Sequence, residues 1–170
     1  MPTPSDALEM LHADHERVLA LFREFTSLKT SDDADPRRAE LADEICYVLQ
    51  LHTQLEEELF YPAVRAASEQ DELLDEAEVE HAGAKDLISQ LEVMYPGDDH
   101  YEATVAVLSE EVERHIETEE LNIFPAARQA RLDLNELGAR MAQRRAELED
   151  DFPAPPPSVT REDTRGGRHP

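Results

Sequence analysis

The sequence predicts an all-α protein: an up-down-up-down four-helix bundle, followed by a short C-terminal helix and a disordered tail. Three observations carry that prediction. Good helix formers dominate up to about residue 148, with only five glycines in the whole chain. No segment sustains the period-2 alternation of a strand. Apolar residues instead recur in four stretches at alternating steps of three and four, the spacing that turns one helix face towards its neighbours in a bundle.

The expected helices cover residues 4–29, 36–68, 71–95 and 99–130. Thr3-Pro4 and Asp35-Pro36 each place a capping oxygen before a proline suited to the first helical position, and Asp99 with Glu102 has the spacing of a capping box. Pro96-Gly97-Asp98 closes the third helix, and the break near Ser68 to Asp71 is read from a change in the apolar register. The first stripe runs Leu8, Leu11, His15, Val18, Phe22, Phe25, and the second Leu41, Ile45, Val48, His52, Leu55, Leu59. The third runs Leu74, Ala77, His81, Ala84, Ile88, Leu91, and the fourth Val105, Leu108, Val112, His115, Glu119, Asn122. One histidine interrupts each stripe. Short connections favour antiparallel neighbours, which brings the four histidines to matching depth.

Asp133-x-x-Glu136 is expected to cap the fifth helix, with Leu134, Leu137 and Met141 packed over one end of the bundle. From Asp151 the chain turns rich in proline and glycine, so a single domain over 1–150 is followed by a tail over 151–170 that also holds His169.

A chain of 170 residues, 40% hydrophobic, suits one domain with its own core. Forty acidic against sixteen basic side chains give a formal charge of -24, which repels phosphate backbones and anionic lipid and excludes nucleic-acid binding. Most of these carboxylates are read as solvated helix faces. The first ten residues lack a signal peptide's basic start and apolar run, and no stretch is apolar enough to span a membrane, so a cytoplasmic protein is expected. The expected assembly is a monomer, with a weak homodimer as the alternative. Cys46, the single cysteine, sits among Ile45, Tyr47 and Val48 and is read as a buried, inert thiol.

The chemistry lies in a motif that occurs twice. His52-x3-Glu56-Glu57 leads to Pro62, and His115-x3-Glu119-Glu120 leads to Pro125, with each proline ten positions after its histidine. Residues i and i+4 share a helix face, so each copy offers an imidazole and a carboxylate to one point. Lone histidines precede both copies, His15 by 37 residues and His81 by 34, a pattern that reads as an internal duplication. Buried carboxylates are costly unless paired or bound to a cation, and a pair of metal ions bridged by the two glutamates resolves that cost. The candidate ligands are therefore His15, His52, Glu56, His81, His115 and Glu119. Glu57 and Glu120, about 100° further round their helices, are assigned supporting or solvated roles.

With Asp14-His15, Glu80-His81, Phe60-Tyr61-Pro62 and Phe124-Pro125 added to the two motifs, residues 5–130 resemble the hemerythrin-like, or HHE cation-binding, family. The resemblance implies a four-helix bundle around a non-haem di-iron centre, with His15 and His52 on one iron, His81 and His115 on the other, and Glu56 and Glu119 bridging. Oxygen-carrying members have a fifth histidine on the third helix, where the candidate places here hold Ala77 and Lys85. One donor fewer leaves more room for an exogenous ligand and favours redox turnover over reversible carriage. Glu78 is a candidate replacement. His12 is weighed as a further ligand against an exposed histidine near the helix start, His100 is read as solvent-facing, and Tyr47 and Tyr61 are candidates for hydrogen bonds near the metals.

The expected function is thus handling of a small redox ligand at two iron ions, as peroxide decomposition or oxygen and iron redox chemistry. The alternative is non-catalytic binding or sensing of oxygen, nitric oxide or iron. A ferritin-like site built on Glu9-x-x-His12 and Glu78-x-x-His81 leaves His52 and His115 unexplained, and zinc hydrolysis lacks the His-Glu-x-x-His motif it needs.

Overall fold

The computed structural model describes residues 5–28 and 35–155. Among the described residues there are five helices and no strand: α1 (Ala7–Ser27), α2 (35–67), α3 (Asp71–Leu91), α4 (101–129) and α5 (Leu134–Asp151). Thr3-Pro4 and the tail beyond residue 155 lie outside them.

Capping explains where the helices begin. Asp6 starts α1: its side chain accepts from the Glu9 N–H at 2.9 Å, and the Glu9 carboxylate accepts from the Asp6 N–H at 3.2 Å. The helix therefore opens at Ala7 rather than at residue 4. The second helix starts at Asp35, with Pro36 in its first turn. The expected Asp99–Glu102 box does not form. His100, in left-handed backbone at φ 67°, precedes Tyr101, and the Tyr101 N–H bonds back to the Asp98 carbonyl at 3.2 Å, which leaves Asp99 inside a turn. The third helix ends at Leu91 instead of 95, and beyond it Gly97 at φ 100° makes the turn from Tyr95 to Asp98 sterically cheap, with the Asp98 N–H bonded to the Tyr95 carbonyl at 3.0 Å.

Two apolar clusters show how the helices run. One joins Phe22 and Phe25 late in α1, Leu41 and Ile45 early in α2, Ile88 and Leu91 late in α3, and Tyr101 and Leu108 early in α4. The other joins Leu8 and Leu11, Phe60 and Val64, Leu74 and Ala77, and Ile123 and Ala127, the opposite ends of the same four helices. Successive helices are therefore antiparallel, the up-down-up-down order expected. Each fully buried Leu, Ile or Phe contributes about 1.5–3 kcal/mol. His15, His52, His81 and His115 fall between the clusters, at the middle of the bundle.

Both long helices depart from α geometry at the same place in the repeated motif. Glu56–Phe60 and Glu119–Ile123 are π turns, in which the Tyr61 N–H bonds to the Glu56 carbonyl and the Phe124 N–H to that of Glu119. Pro62 and Pro125 follow directly. A proline inside a helix cannot donate, and its ring crowds the carbonyl four residues earlier; a widened turn before it relieves both problems. The extra residue advances the buried face by one position. Phe60 and Ile123 are buried, whereas Leu59 is partly exposed and Asn122 exposed, which corrects the last members of the second and fourth stripes.

The fifth helix starts at Asp133, whose side chain accepts from the Glu136 N–H at 3.0 Å. At 18 residues it is shorter than the bundle helices, and it lies along α1 and α2 rather than only across an end. Leu137, Met141 and Leu148 are buried there, Leu134 partly so, and near its C-terminus the Tyr47 hydroxyl donates to the Phe152 carbonyl at 3.0 Å. Gly138 permits its approach: a Cβ at that position would stand 2.7 Å from the Ser5 carbonyl oxygen and 2.9 Å from the Ala7 nitrogen, both backbone atoms. Gly138→Ala is expected to cost about 1–3 kcal/mol in urea unfolding. An unchanged or raised midpoint would show that α5 does not dock this closely.

Candidate metal centre

Six side chains from four helices meet between the apolar clusters. His15, His52, His81, Glu56 and Glu119 are buried to 95% or more, and the His115 side chain is 12% exposed. They form two groups, His15, His52, Glu56 and Glu119, and His81, His115, Glu56 and Glu119, and within each group one potential ligand atom per residue lies within 4.8 Å of every other. The two glutamates belong to both groups. His52 Nε2 is 2.8 Å from Glu56 Oε1, His81 Nε2 3.4 Å from the same oxygen, His15 Nε2 3.3 Å from Glu119 Oε1, and His115 Nε2 3.2 Å from Glu119 Oε2.

These short distances are not all hydrogen bonds. The buried atoms His15 Nε2, His52 Nε2, Glu56 Oε1 and Oε2, and Glu119 Oε1 have no hydrogen-bond partner. Unpaired buried nitrogens and carboxylate oxygens are rare because each costs its full desolvation, so five such atoms facing one another fit a cation they would share. The donor set of imidazole and carboxylate suits a first-row transition metal.

A second ring of carboxylates stands behind the imidazoles. Asp14 Oδ2 is 3.0 Å from His52 Nδ1 and Glu120 Oε1 is 3.1 Å from His15 Nδ1, whereas Glu80 is 3.6 Å from His115 Nδ1 and Glu57 is 3.9 Å from His81 Nδ1. A carboxylate on the outer nitrogen fixes tautomer and ring direction, so the inner nitrogen keeps its lone pair for a metal. The arrangement repeats across the duplication. The acid preceding each lone histidine serves the other histidine of its own half, and the second glutamate of each motif serves the lone histidine of the other half. Arg145 from α5 forms an ion pair with Asp14, and Lys85 bonds both oxygens of Glu57 at 2.6 and 2.7 Å.

Electrostatics in the metal-free protein follow from this crowding. Burial alone lowers the His52 pKa, but the charge of Glu56 and the bond to Asp14 outweigh it and hold the imidazole well above its ordinary value. Burial likewise disfavours the charged form of Glu56, yet His52 keeps its pKa well below the usual range. His115 is pushed up to about 9, since its contacts with Glu119 and the charges of Glu119, Glu56 and Glu80 overcome burial. Protons thus occupy nitrogens that a cation would take. Burial and then the charges of Glu56 and Glu119 raise the Tyr61 phenol well above 10, so it stays protonated and donates to Glu119 Oε2 at 2.5 Å.

Several sequence expectations change here. Glu78 is exposed, within 3.6 Å of Arg65, and does not approach the centre; Glu9 caps α1, so neither half of the ferritin-like reading survives. Ala77 and Lys85 supply no donor. Of the two tyrosines, Tyr61 lies at the centre and Tyr47 does not. His12 is 55% exposed and bonds Glu120 at 2.5 Å, forming a third, more open group with His15 and Glu120. His100 is exposed, as expected, and Cys46 is buried with its thiol pushed up to about 12, chiefly by burial. The roles of Arg145 and Lys85 were not foreseen, because neither lies in the motifs.

The sequence profile of the hemerythrin HHE cation binding domain matches residues 6–127. The chain belongs to that family. Hemerythrin-like domains bind metal ions, and the two His/Glu groups lie inside the matched region. The crystal structure of a hemerythrin HHE cation binding domain-containing protein from Mycobacterium kansasii is similar at 27% identity, covering 86% of this chain and 89% of that one, with a TM-score of 0.73. Comparison with curated proteins found no match. No described helix of this hemerythrin-like chain is long and apolar enough to cross a membrane.

Metal-free protein should lose stability as pH rises. A histidine whose folded pKa is raised stabilises fully below the unfolded value, near 6.5, and loses that contribution as pH passes the folded value of about 9. Urea midpoints are expected to fall across this window, and His115→Gln should flatten the slope. A midpoint that climbs with pH would contradict the assignment.

Proposed function

We propose that the protein holds two non-haem iron ions and handles a small redox ligand there, with turnover of peroxide or dioxygen favoured over carriage. In this reading His15 and His52 hold one ion, His81 and His115 the other, and Glu56 and Glu119 are shared. The unpaired buried nitrogen and carboxylate oxygens carry the proposal, since they fit a cation and little else that could reach that depth. Iron, when bound, would supply one-electron redox steps and Lewis acidity, and two ions match the two electrons of peroxide chemistry.

The surrounding residues supply the rest. Beside the four histidines lies a cavity of about 30 Å³, walled by Val18, Val48, Ala84, Val112 and Ile116. It has room for about one or two water-sized molecules, the scale of dioxygen or hydrogen peroxide. The α1 and α2 residues lining it are buried, whereas Glu80, Glu111 and His115 are partly exposed, so the cavity meets solvent between α3 and α4. Apolar walls exclude bulk water, and the Tyr61 hydroxyl keeps a proton beside Glu119. Among the described residues, four histidines face the centre, which favours reaction with an incoming ligand over tight carriage. A cytoplasmic setting accords with a lone buried thiol.

Protein purified from iron-supplied cells is expected to contain about two irons per chain and to release oxygen from peroxide. His52→Ala and His115→Ala should each lower iron content and thermal stability, and unchanged loading in both would remove them as ligands. A reversible colour change without oxygen release would assign binding or sensing instead. Ala84→Leu, which fills the cavity, should keep the iron yet slow peroxide turnover roughly tenfold. Unaltered turnover in that variant would show that the cavity is not the ligand's route.

A further inference from the structure

We propose that the two cation positions are unequal and fill in order, the His15–His52 position first and the His81–His115 position second. The proposal rests on the two-cation reading above and concerns which residues make the positions differ.

The two histidine pairs have opposite hydrogen-bond states. His15 and His52 are bonded through their outer nitrogens, to Glu120 at 3.1 Å and to Asp14 at 3.0 Å, while their inner nitrogens have no partner. Arg145 holds Asp14 in place. Both rings are therefore held with the inner nitrogen facing the centre, and a cation arriving there breaks no hydrogen bond of theirs. His81 and His115 are the reverse. Their inner nitrogens lie 3.2 Å from each other and 3.2 and 3.3 Å from the Tyr61 hydroxyl, which gives its own proton to Glu119 and so can only accept from them, and their outer nitrogens are the unpaired ones. A cation at this position must displace three contacts, and Glu57 and Glu80 must close in to fix the rings.

Differences between the duplicated halves account for the contrast. Tyr61 stands five residues after Glu56, and Phe124 stands five after Glu119. Phe124 stacks on His15 with ring centroids 5.8 Å apart and planes within 11°, and it has no hydroxyl to occupy the histidine nitrogens. Lys85 stands four residues after His81, and its counterpart four after His15 is Leu19. Its ammonium holds both oxygens of Glu57, leaving that carboxylate 3.9 Å from His81 Nδ1, while Glu120 bonds His15 directly. Lys85 and Tyr61 are thus positioning residues that weaken the second site.

Metal-free protein titrated with cobalt(II), followed by calorimetry and by paramagnetically shifted imidazole N–H resonances, tests the order. Two steps are expected, the first at least about tenfold tighter, equivalent to roughly 1.4 kcal/mol, with the first equivalent giving the large through-bond shifts of directly bound imidazoles to His15 and His52 only. Lys85→Met, a surface change, should tighten the second step and leave the first alone, and Tyr61→Phe should do the same. Two equal steps, or a first equivalent seen at His81 and His115, would overturn the order while leaving two bound ions intact. A second step weakened by Tyr61→Phe would also overturn it, by making the hydroxyl a ligand instead of an obstacle. Absence of buried cobalt altogether would sink the two-cation reading and this proposal with it.

Discussion

The bundle is organised around one unfavourable circumstance: nitrogen and carboxylate lone pairs are forced together where water does not reach them. Glu56 and Glu119 are fully buried, and three of their four oxygens lack a hydrogen-bond partner. Two carboxylates in such a place repel each other and lose their hydration, which is tolerable only when positive charge stands between them. In the metal-free protein that charge comes from protonated histidines. The apolar clusters above and below hold the four helices in register, so the polar groups cannot swing out to solvent.

The outer carboxylates turn this cluster into a directed one. His15 and His52 face the centre because Glu120 and Asp14 stand behind them, and the fifth helix takes part by setting Arg145 against Asp14. Gly138 lets α5 approach closely enough for that ion pair, which links a contact at the start of α1 to the ring orientation of His52. Duplication made the two halves alike in outline. Tyr61 against Phe124, and Lys85 against Leu19, make them chemically different.

Much of this was legible in the amino-acid order, for identifiable reasons. Three- and four-residue steps register burial along straight helices, so the first and third stripes were read correctly to their last members, and the four histidines to equal depth. The same rule failed at Leu59 and Asn122, where the π turns add a residue that a fixed period cannot contain. Pro62 and Pro125 carried the missing signal: an unbroken helix through either leaves a carbonyl without a donor. Caps were less legible: the Thr3-Pro4 reading passed over Asp6-x-x-Glu9, whose reciprocal capping box opens α1 at Ala7. Glu78 was misjudged because i, i+3 spacing states proximity to His81 without stating which side of the helix faces the core. Arg145 and Lys85 act through contacts between distant parts of the chain, and no local pattern announces them.

Anomalous diffraction from crystals of the iron-loaded protein tests the central claim most directly. Two peaks are expected in the middle of the bundle, both bordered by Glu56 and Glu119, one beside His15 and His52 and the other beside His81 and His115. Iron found only on exposed carboxylates, with the six inward side chains closed upon one another, would contradict the account.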